Sequence, residues 1–407
     1  MVELATEKLG LGKYPHKIDG QILSVHFSQQ LADSSWDDFL QSTPFGQFQQ
    51  SSVWAQAKRT EGWRPIRAIV NLDGQLSGCF QILYRCSRFG RIGYISKGPV
   101  VAPGLPSLAD FLCELVARAA RAKHLLALVV QPPDSATWYG PLLMRYGFVD
   151  NHLIEVISAT LLVDLTRSIG EIGRRIRKST QAEIRQAERR GIKIREGNEK
   201  DIGTFFHLML STCERQKTKP APSTEAALFN IWKTFRSRGC ARLSIAEYEG
   251  EPIAGIICLA FGERVTGWKK GWSGQHRDRH PNPLLIYDAV EWSHRNGYKL
   301  FDFAALSPDI ATTLLRGAAL SENQKKSRDF LHLNFGDRPV MLPDYRLYIP
   351  NPFVRFAYRS ATANSGLRVL AKHLVRIGRN CNRRINKQTT DHWQASGPVQ
   401  LSNRGVR

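Results

Sequence analysis

No group of residues in this 407-residue chain has the spacing of a standard catalytic centre. His276 and His280 lie four apart, but in the Gln275–Pro283 loop and without an acidic third ligand, so a zinc site is not expected. Trp272-Ser273-Gly274 lacks the flanking GxSxG spacing of a nucleophile elbow. There is neither a Walker loop nor a GxGxxG fingerprint. The seven cysteines (Cys79, Cys86, Cys113, Cys213, Cys240, Cys258 and Cys381) are scattered, form no CxxC pair, and in several cases sit inside apolar runs as buried thiols do. What remains is chemistry by positioning, in which two substrates are held side by side while protons move between them. Aminolysis of an already activated acyl ester or thioester meets that description.

The partners of such a reaction are suggested by charge. With 57 Lys and Arg against 36 Asp and Glu, the net charge is +21. That excess favours nucleic acid, nucleotide-linked substrates or an acidic membrane surface, although charge alone does not choose among them. Part of it is concentrated between Arg167 and Gly191, where Arg174, Arg175, Arg177, Lys178, Arg185, Arg189 and Arg190 share one stretch with a helical apolar stripe of Ile169, Ile172 and Ile176. Ser168 and Glu171 fit a capping box and Gly191 a stop, so one long helix is expected there, with RNA or phosphate contact as one reading and a solvated charged face as the other. No apolar core follows the charged N-terminal residues, and no apolar run reaches the roughly 20 residues needed to span a bilayer. With the unpaired cysteines, these features lead to the expectation of a cytoplasmic protein.

The elements that must position this chemistry are clearest from Ala241 to Phe303. Ala241–Glu247 and Ile253–Phe261 are apolar runs joined by the turn Tyr248-Glu249-Gly250-Glu251, and Arg264–Trp272 is a third strand rich in aromatics and lysine. Leu284–Asn296 is helical, with Leu285, Ala289 and Trp292 on one face and Gly297 as the stop; Lys299–Phe303 returns as a strand. The same order occurs earlier: Pro65–Val70, the turn Asp73-Gly74, Leu76–Leu83, Arg91–Ile95, the helix Leu108–Ala122 and the buried strand Leu125–Gln131. A repeat of this long period means two copies of one α+β domain, not a solenoid. The expected organisation is a loose extension over 1–20, a first domain over 21–160, a second over 161–345, and a basic tail over 346–407 with a helical segment at Leu367–Ile377. Further helices are expected at Ile202–Glu214 and Ala226–Ser237, separated by a turn-rich loop suited to covering a cleft.

Between Phe45 and Tyr345 the chain resembles the FemABX family of peptidoglycan interpeptide-bridge transferases. The marks are Phe48-Gln49-Gln50-Ser51-Ser52-Val53-Trp54 with Lys58 and Gly62-Trp63, the turn Gly98-Pro99-Val100, the Arg174–Gly191 helix, and Thr212 with Arg215. They continue with Pro281-Asn282 before Leu284-Leu285, Asp302, and Phe335-Gly336. The resemblance implies two tandem acetyltransferase-like (GNAT) domains, each a mixed, mostly antiparallel sheet flanked by helices. It implies transfer of an amino acid from aminoacyl-tRNA to an amine of a UDP- or lipid-linked muropeptide or another envelope precursor, with no further cofactor. It places Lys58 and Arg215 at the precursor's diphosphate, for which a point charge and a planar fork are well suited, and Asn282 and Trp54 in the same binding region. Without the resemblance, Lys58 reads as a solvated lysine and Arg215 as an ion-pair arginine.

Two positions depart from the family pattern. Where members often carry a lysine three residues before the Phe-Gly pair, this chain has His332, which can donate a hydrogen bond or shuttle a proton and is the candidate catalytic residue. The acidic residue that commonly follows the Gly-Pro-Val turn is replaced by Val101 and Ala102, and the helical coiled-coil arm of some members is missing. Two alternatives stand beside the aminoacyltransferase. One is an acyl-CoA-dependent N-acyltransferase of the same fold, opposed by His280-Pro281-Asn282-Pro283, where prolines remove the N–H donors that a pyrophosphate cradle needs. The other is a non-catalytic protein that holds RNA or rests on an anionic membrane through its basic surfaces.

Overall fold

The computed structural model describes residues 17–363 apart from 29, 88, 153, 155 and 337. The expected helix at Leu367–Ile377, most of the expected N-terminal extension and Cys381 lie outside the described residues.

Each half contains one mixed sheet. In the first, β2 (Gln21–Ser28), β3 (Arg64–Leu72), β4 (Gln75–Ser87) and β5 (Gly90–Ser96) run antiparallel in order, after the short edge strand β1 (Lys17–Ile18). The strand β6 (Val100–Val101) pairs separately with β4. The helix α3 (Pro106–Ala122) then crosses the sheet, and β7 (Leu125–Gln131) joins β5 in parallel. The second sheet repeats this plan. β10 (Lys193–Glu196), β11 (Ala241–Tyr248), β12 (Glu251–Phe261) and β13 (Arg264–Trp272) are antiparallel; α9 (Pro281–Arg295) crosses over, and β14 (Leu300–Asp302) joins β13 in parallel.

The two hairpins that suggested the repeat match in detail. Asp73-Gly74 and Glu249-Gly250 all have positive φ (47°, 81°, 53° and 83°), the conformation of a tight two-residue hairpin turn. Each hairpin also carries a register shift near its turn, at Val70/Asn71 and at Ala246/Glu247.

Three expectations are corrected. The predicted single helix Arg167–Gly191 is two, α5 (Ile169–Arg175) and α6 (Lys178–Arg189), because Ile176 leaves helical backbone (φ −62°, ψ 135°) to bury its side chain. The break is held by Asn334, whose carbonyl accepts from Arg177 N at 3.1 Å, and by Gln181, whose amide donates to Ile176 O at 2.6 Å. The segment after Tyr345 is not simply tail. Arg346–Tyr348 forms β16, which returns to the first sheet between β7 and β8 (Val149–Asp150). Three residues are too few to show periodicity, and their packing is settled by Tyr348 against Phe148 (4.8 Å between rings) and Leu347 against Val149. A helix, α13 (Pro352–Ala363), follows it. Lys17–Ile18, assigned to the loose extension, forms β1.

The two halves share a core. Trp36, Leu40, Phe48, Val53 and Ala57 from α1 (Ser34–Ser42), the following turn and α2 (Ser52–Lys58) pack with Phe205, Phe206, Met209, Leu228, Trp232 and Phe235. The latter come from α7 (Asp201–Arg215) and α8 (Glu225–Arg236) of the second half. An interface built like a domain interior fixes the relative placement of the halves far better than a polar contact would.

A buried ion network also crosses it. Asp134, beyond β7, accepts from Lys97 Nζ and from Arg264 Nη1, both at 2.6 Å. Arg264 reaches Asp302 at 3.2 Å, and Asp302 accepts from the Thr160 hydroxyl and from Ala304 N (2.8 Å).

Candidate functional site

The geometry of β13 organises the site. Along one edge β13 pairs with β12 from Arg264 to Trp272, but along the other it pairs with β14 only over Arg264–Thr266. Beyond Thr266 this ladder stops, leaving the edge of residues 267–272 outside the pairing with β14. The pairing with β12 shifts register between Ile257 and Cys258, so Trp268 is the extra residue of a bulge. Because the bulge interrupts alternation, Trp268 and Lys269 both serve the face toward the first half, while Lys270 and Trp272 serve the opposite face.

The face toward the first half meets α2. Ser51 caps this helix by accepting from Trp54 N at 3.0 Å, which fixes its start and sets Trp54 and Lys58 one turn apart. The Lys58 ammonium lies 5.4 Å from the Trp54 ring centre and pairs with Glu61; its side chain is only 14% exposed. Trp54 meets Trp268 edge-on at 6.3 Å, and Lys269 lies over Trp268 at 5.3 Å. Burial lowers the pKa of Lys58, with Arg85 adding to the effect and Glu61 opposing it. Burial also lowers that of Lys269, and the positive charge of Lys58 lowers it further. Two lysines close enough for the charge of Lys58 to act on Lys269, with Glu61 as a nearby carboxylate, form an electropositive cluster suited to a multiply charged anion. Lys58 is therefore not the solvated lysine of the ordinary sequence reading.

The opposite face holds the second group. Lys270 Nζ lies 3.1 Å from His332 Nε2, and the His332 ring stacks on Phe303 at 4.6 Å between centres. His332 is carried by α12 (Phe330–Leu333), and its Nδ1 is buried without a protein partner. Burial lowers Lys270 to about 8, opposed by Asp329 and aided by Arg328. Burial, Lys270 and Arg328 hold His332 well below the ordinary imidazole value, so it is neutral near pH 7.

The remaining predicted residues are distributed around β13. Arg215 ends α7, stacks on Trp272 (4.8 Å) and donates to the carbonyls of Ser273 (2.7 Å) and Trp272 and to the Thr212 hydroxyl (3.3 Å). Its fork thus holds the end of the strand. Asn282 lies in the first turn of α9 between two prolines, with Oδ1 buried and unpartnered. The structure brings Trp54 and Lys58 together, sets His332 behind β13, and leaves Arg215 and Asn282 out of direct contact with either pair.

Sequence reasoning missed Lys269 and Lys270 as site residues. Their signal was two adjacent lysines inside a strand, which alternation sends to opposite faces. Among the described residues no group of three His, Cys, Asp or Glu is placed to hold a metal.

Several family marks prove to be framework. Gln50 lies where β4 and β5 separate: its amide donates to Ser96 O (2.8 Å) and Gln81 O (3.3 Å), and its Oε1 accepts from Gln81 N (2.7 Å). A Cβ on Gly98 would fall 2.7 Å from that Oε1, which explains the glycine.

Comparison with known proteins agrees with this architecture. Residues 31–140 match the FemAB family model, and residues 174–319 match the model of the acetyltransferase (GNAT) domain. Lipid II:glycine glycyltransferases of Staphylococcus are related to the chain. That of S. aureus (strain MRSA252) is 25% identical over 337 residues, 78% of this chain and 79% of that protein. That of S. epidermidis (strain RP62A) is 23% identical over 343 residues, 80% and 79% of the two chains. An alignment with the S. haemolyticus (strain JCSC1435) protein, 24% identical, spans 55% of this chain and 56% of that protein, so there the chain covers about half of its relative. The crystal structure of FemX superposes with a TM-score of 0.69 at 17% identity, covering 81% of this chain and 99% of that one, a likeness of fold. The molecule is thus an acyltransferase built from two tandem GNAT domains. Within that class its likeness is to the FemAB family model over residues 31–140 and to the staphylococcal glycyltransferases, the resemblance to which its sequence motifs pointed.

Proposed function

We propose that the protein transfers an aminoacyl group from aminoacyl-tRNA to an amine of a lipid- or nucleotide-linked peptidoglycan precursor. The observation that carries this reading is the half-buried Lys58–Lys269 pair at the junction of the two domains, framed by Trp54 and Trp268. A diphosphate suits such a cluster because its charge offsets the repulsion between the lysines and its oxygens can accept from both. The named substrate of the staphylococcal relatives, lipid II, is a lipid-linked precursor of this kind. Arg215 holds the strand beside the cluster, and Asn282 offers a buried acceptor from the second domain.

The donor is inferred from charge and adjacency. Arg174, Arg175, Arg177, Lys178, Arg185, Arg189 and Arg190 are all exposed on α5, α6 and their junctions. This basic surface begins beside the segment that carries His332: Arg177 lies over Phe330 at 5.2 Å and donates its backbone N–H to Asn334. A tRNA backbone tracking these side chains would bring its acylated end toward the segment that carries His332.

No helix among the described residues is long and apolar enough to cross a membrane. Contact with a lipid-linked substrate at the inner face of the membrane is served by α13, which exposes Phe353 (83%) and Phe356 (73%) beside basic residues.

The test is transfer of labelled amino acid from charged tRNA to a muropeptide amine. Label should appear in the muropeptide, vanish with RNase, and require an at least tenfold higher acceptor concentration in Lys58→Met or Lys269→Met. Transfer that survives RNase, or that runs on acyl-CoA instead, would refute the reading.

A further inference from the structure

We propose that Lys270 is a positioning residue that sets the tautomer of His332, so that the buried Nδ1–H of His332 donates to the oxygen of the acyl carbonyl under attack. The inference rests on the acyl-transfer reading above and adds to it a residue, a proton position and a direction of donation.

A lysine ammonium has three donors and no acceptor, so at 3.1 Å from Lys270 Nζ the His332 Nε2 must accept. A neutral imidazole whose Nε2 accepts carries its proton on Nδ1. That nitrogen is buried and has no protein acceptor. A buried N–H without a partner is costly, about 1–3 kcal/mol in general, and such a cost is tolerated at functional sites where a substrate completes the bond. Stacking on Phe303 limits rotation of the ring, so the N–H keeps one direction. The pair lies beside the part of β13 beyond Thr266, whose edge is outside the β14 ladder.

The charged groups felt by the pair are Asp329 and Arg328, from the segment before α12, while Ile256 and Phe303 on the flanking strands bring none. Since Lys270 titrates near 8, it is mostly protonated at neutral pH, and His332, much less basic, remains neutral beside it.

In the reaction, the amine lone pair forms the C–N bond as the carbonyl π pair moves onto oxygen. The oxyanion accepts a hydrogen bond from His332 Nδ1–H without taking the proton. On collapse the C–O bond to the donor hydroxyl breaks, and the proton lost by the amine ends on the departing oxygen. Histidine, backed by lysine, thus presents a directed donor to the developing charge.

The experiment is 15N NMR of the full chain labelled in histidine, with the His332 signals identified by their loss in His332→Gln. The expected wild-type pattern near pH 7 is a protonated Nδ1 and an unprotonated Nε2. Lys270→Met should shift His332 toward the Nε2–H form, and Lys270→Arg, which is also donor-only, should restore Nδ1–H. In the transfer assay Lys270→Met should lower kcat by about 10–100-fold, with KM for the acceptor within about twofold, and Lys270→Arg should recover part of the loss. An Nε2–H tautomer in the wild type, or one unchanged in a folded Lys270→Met protein, would overturn the proposal. The NMR result needs no substrate, so failure of the proposed transfer activity is separable from failure of the tautomer assignment.

Discussion

Replacing Arg264 by methionine tests how the two domains are locked together. The guanidinium joins Asp134 of the first domain to Asp302 of the second, and all three side chains are 19% exposed or less. Removing one partner of a buried ion pair generally costs about 3–5 kcal/mol, because the other charge is left uncompensated. Here each carboxylate keeps other donors: Asp134 retains Lys97 at 2.6 Å, and Asp302 retains Thr160 and the Ala304 N–H. The expected loss is therefore somewhat smaller, about 2–4 kcal/mol. Equilibrium urea unfolding should show it as a midpoint lowered by about 1 M for a slope of a few kcal/mol per molar. Followed by tryptophan fluorescence, which reports Trp54 and Trp268 at the interface, and by far-UV circular dichroism, the two curves should still coincide because the apolar core spanning the domains is intact. Adding Asp302→Asn to Arg264→Met should recover part of the loss, since it removes one of the stranded charges. A loss below about 1 kcal/mol for Arg264→Met would refute the assignment of this network as a structural lock.

Other outcomes are expected from the same geometry. Gln50→Met should lower stability by about 2–4 kcal/mol in thermal unfolding, because Gln81 N and Ser96 O lose their partners in a buried gap between strands. Gly271→Ala should cost about 1–3 kcal/mol, since the added Cβ would meet Met209 N at 2.6 Å and the Leu208 carbonyl carbon at 2.8 Å, both backbone atoms of α7. Although burial alone would raise the Asp134 pKa, Lys97 and Arg264 hold it below the ordinary carboxylate value. Its contribution to stability is thus complete above the unfolded carboxylate pKa of about 4 and is lost as pH falls through the lower folded value, so Asp134→Asn should flatten the acid limb of the stability–pH curve. For transfer, kcat should fall as pH rises through about 8, where Lys270 gains an acceptor lone pair and no longer fixes the tautomer of His332, and Lys270→Arg should remove that limb.

The sequence by itself determined the repeated α+β plan, because the hairpin turns and the crossover helices are local features. Asp73-Gly74 and Glu249-Gly250 specify tight turns through backbone conformations that few residues adopt readily, and the spacing of Leu285, Ala289 and Trp292 needs no partner to be seen. Its motifs also pointed to the family. What those motifs do was decided only by tertiary structure. Gln50 bridges two strands, and Arg215 stacks on Trp272 and holds the carbonyls at the end of β13. Lys58 looked like a surface residue because a helix end is usually wet, and it is only 14% exposed where α2 meets the second domain.

The break at Ile176 escaped the sequence pattern for a related reason. The helical spacing on either side was real, and the contact with Asn334 that holds the interruption comes from more than 150 residues away. The pairing of Lys270 with His332 depends on a bulge at Trp268, on the end of the β14 ladder at Thr266, and on a turn of helix 62 residues further along. Periodicity reports which faces of a segment are apolar; it carries no information about which distant segment comes to lie against them.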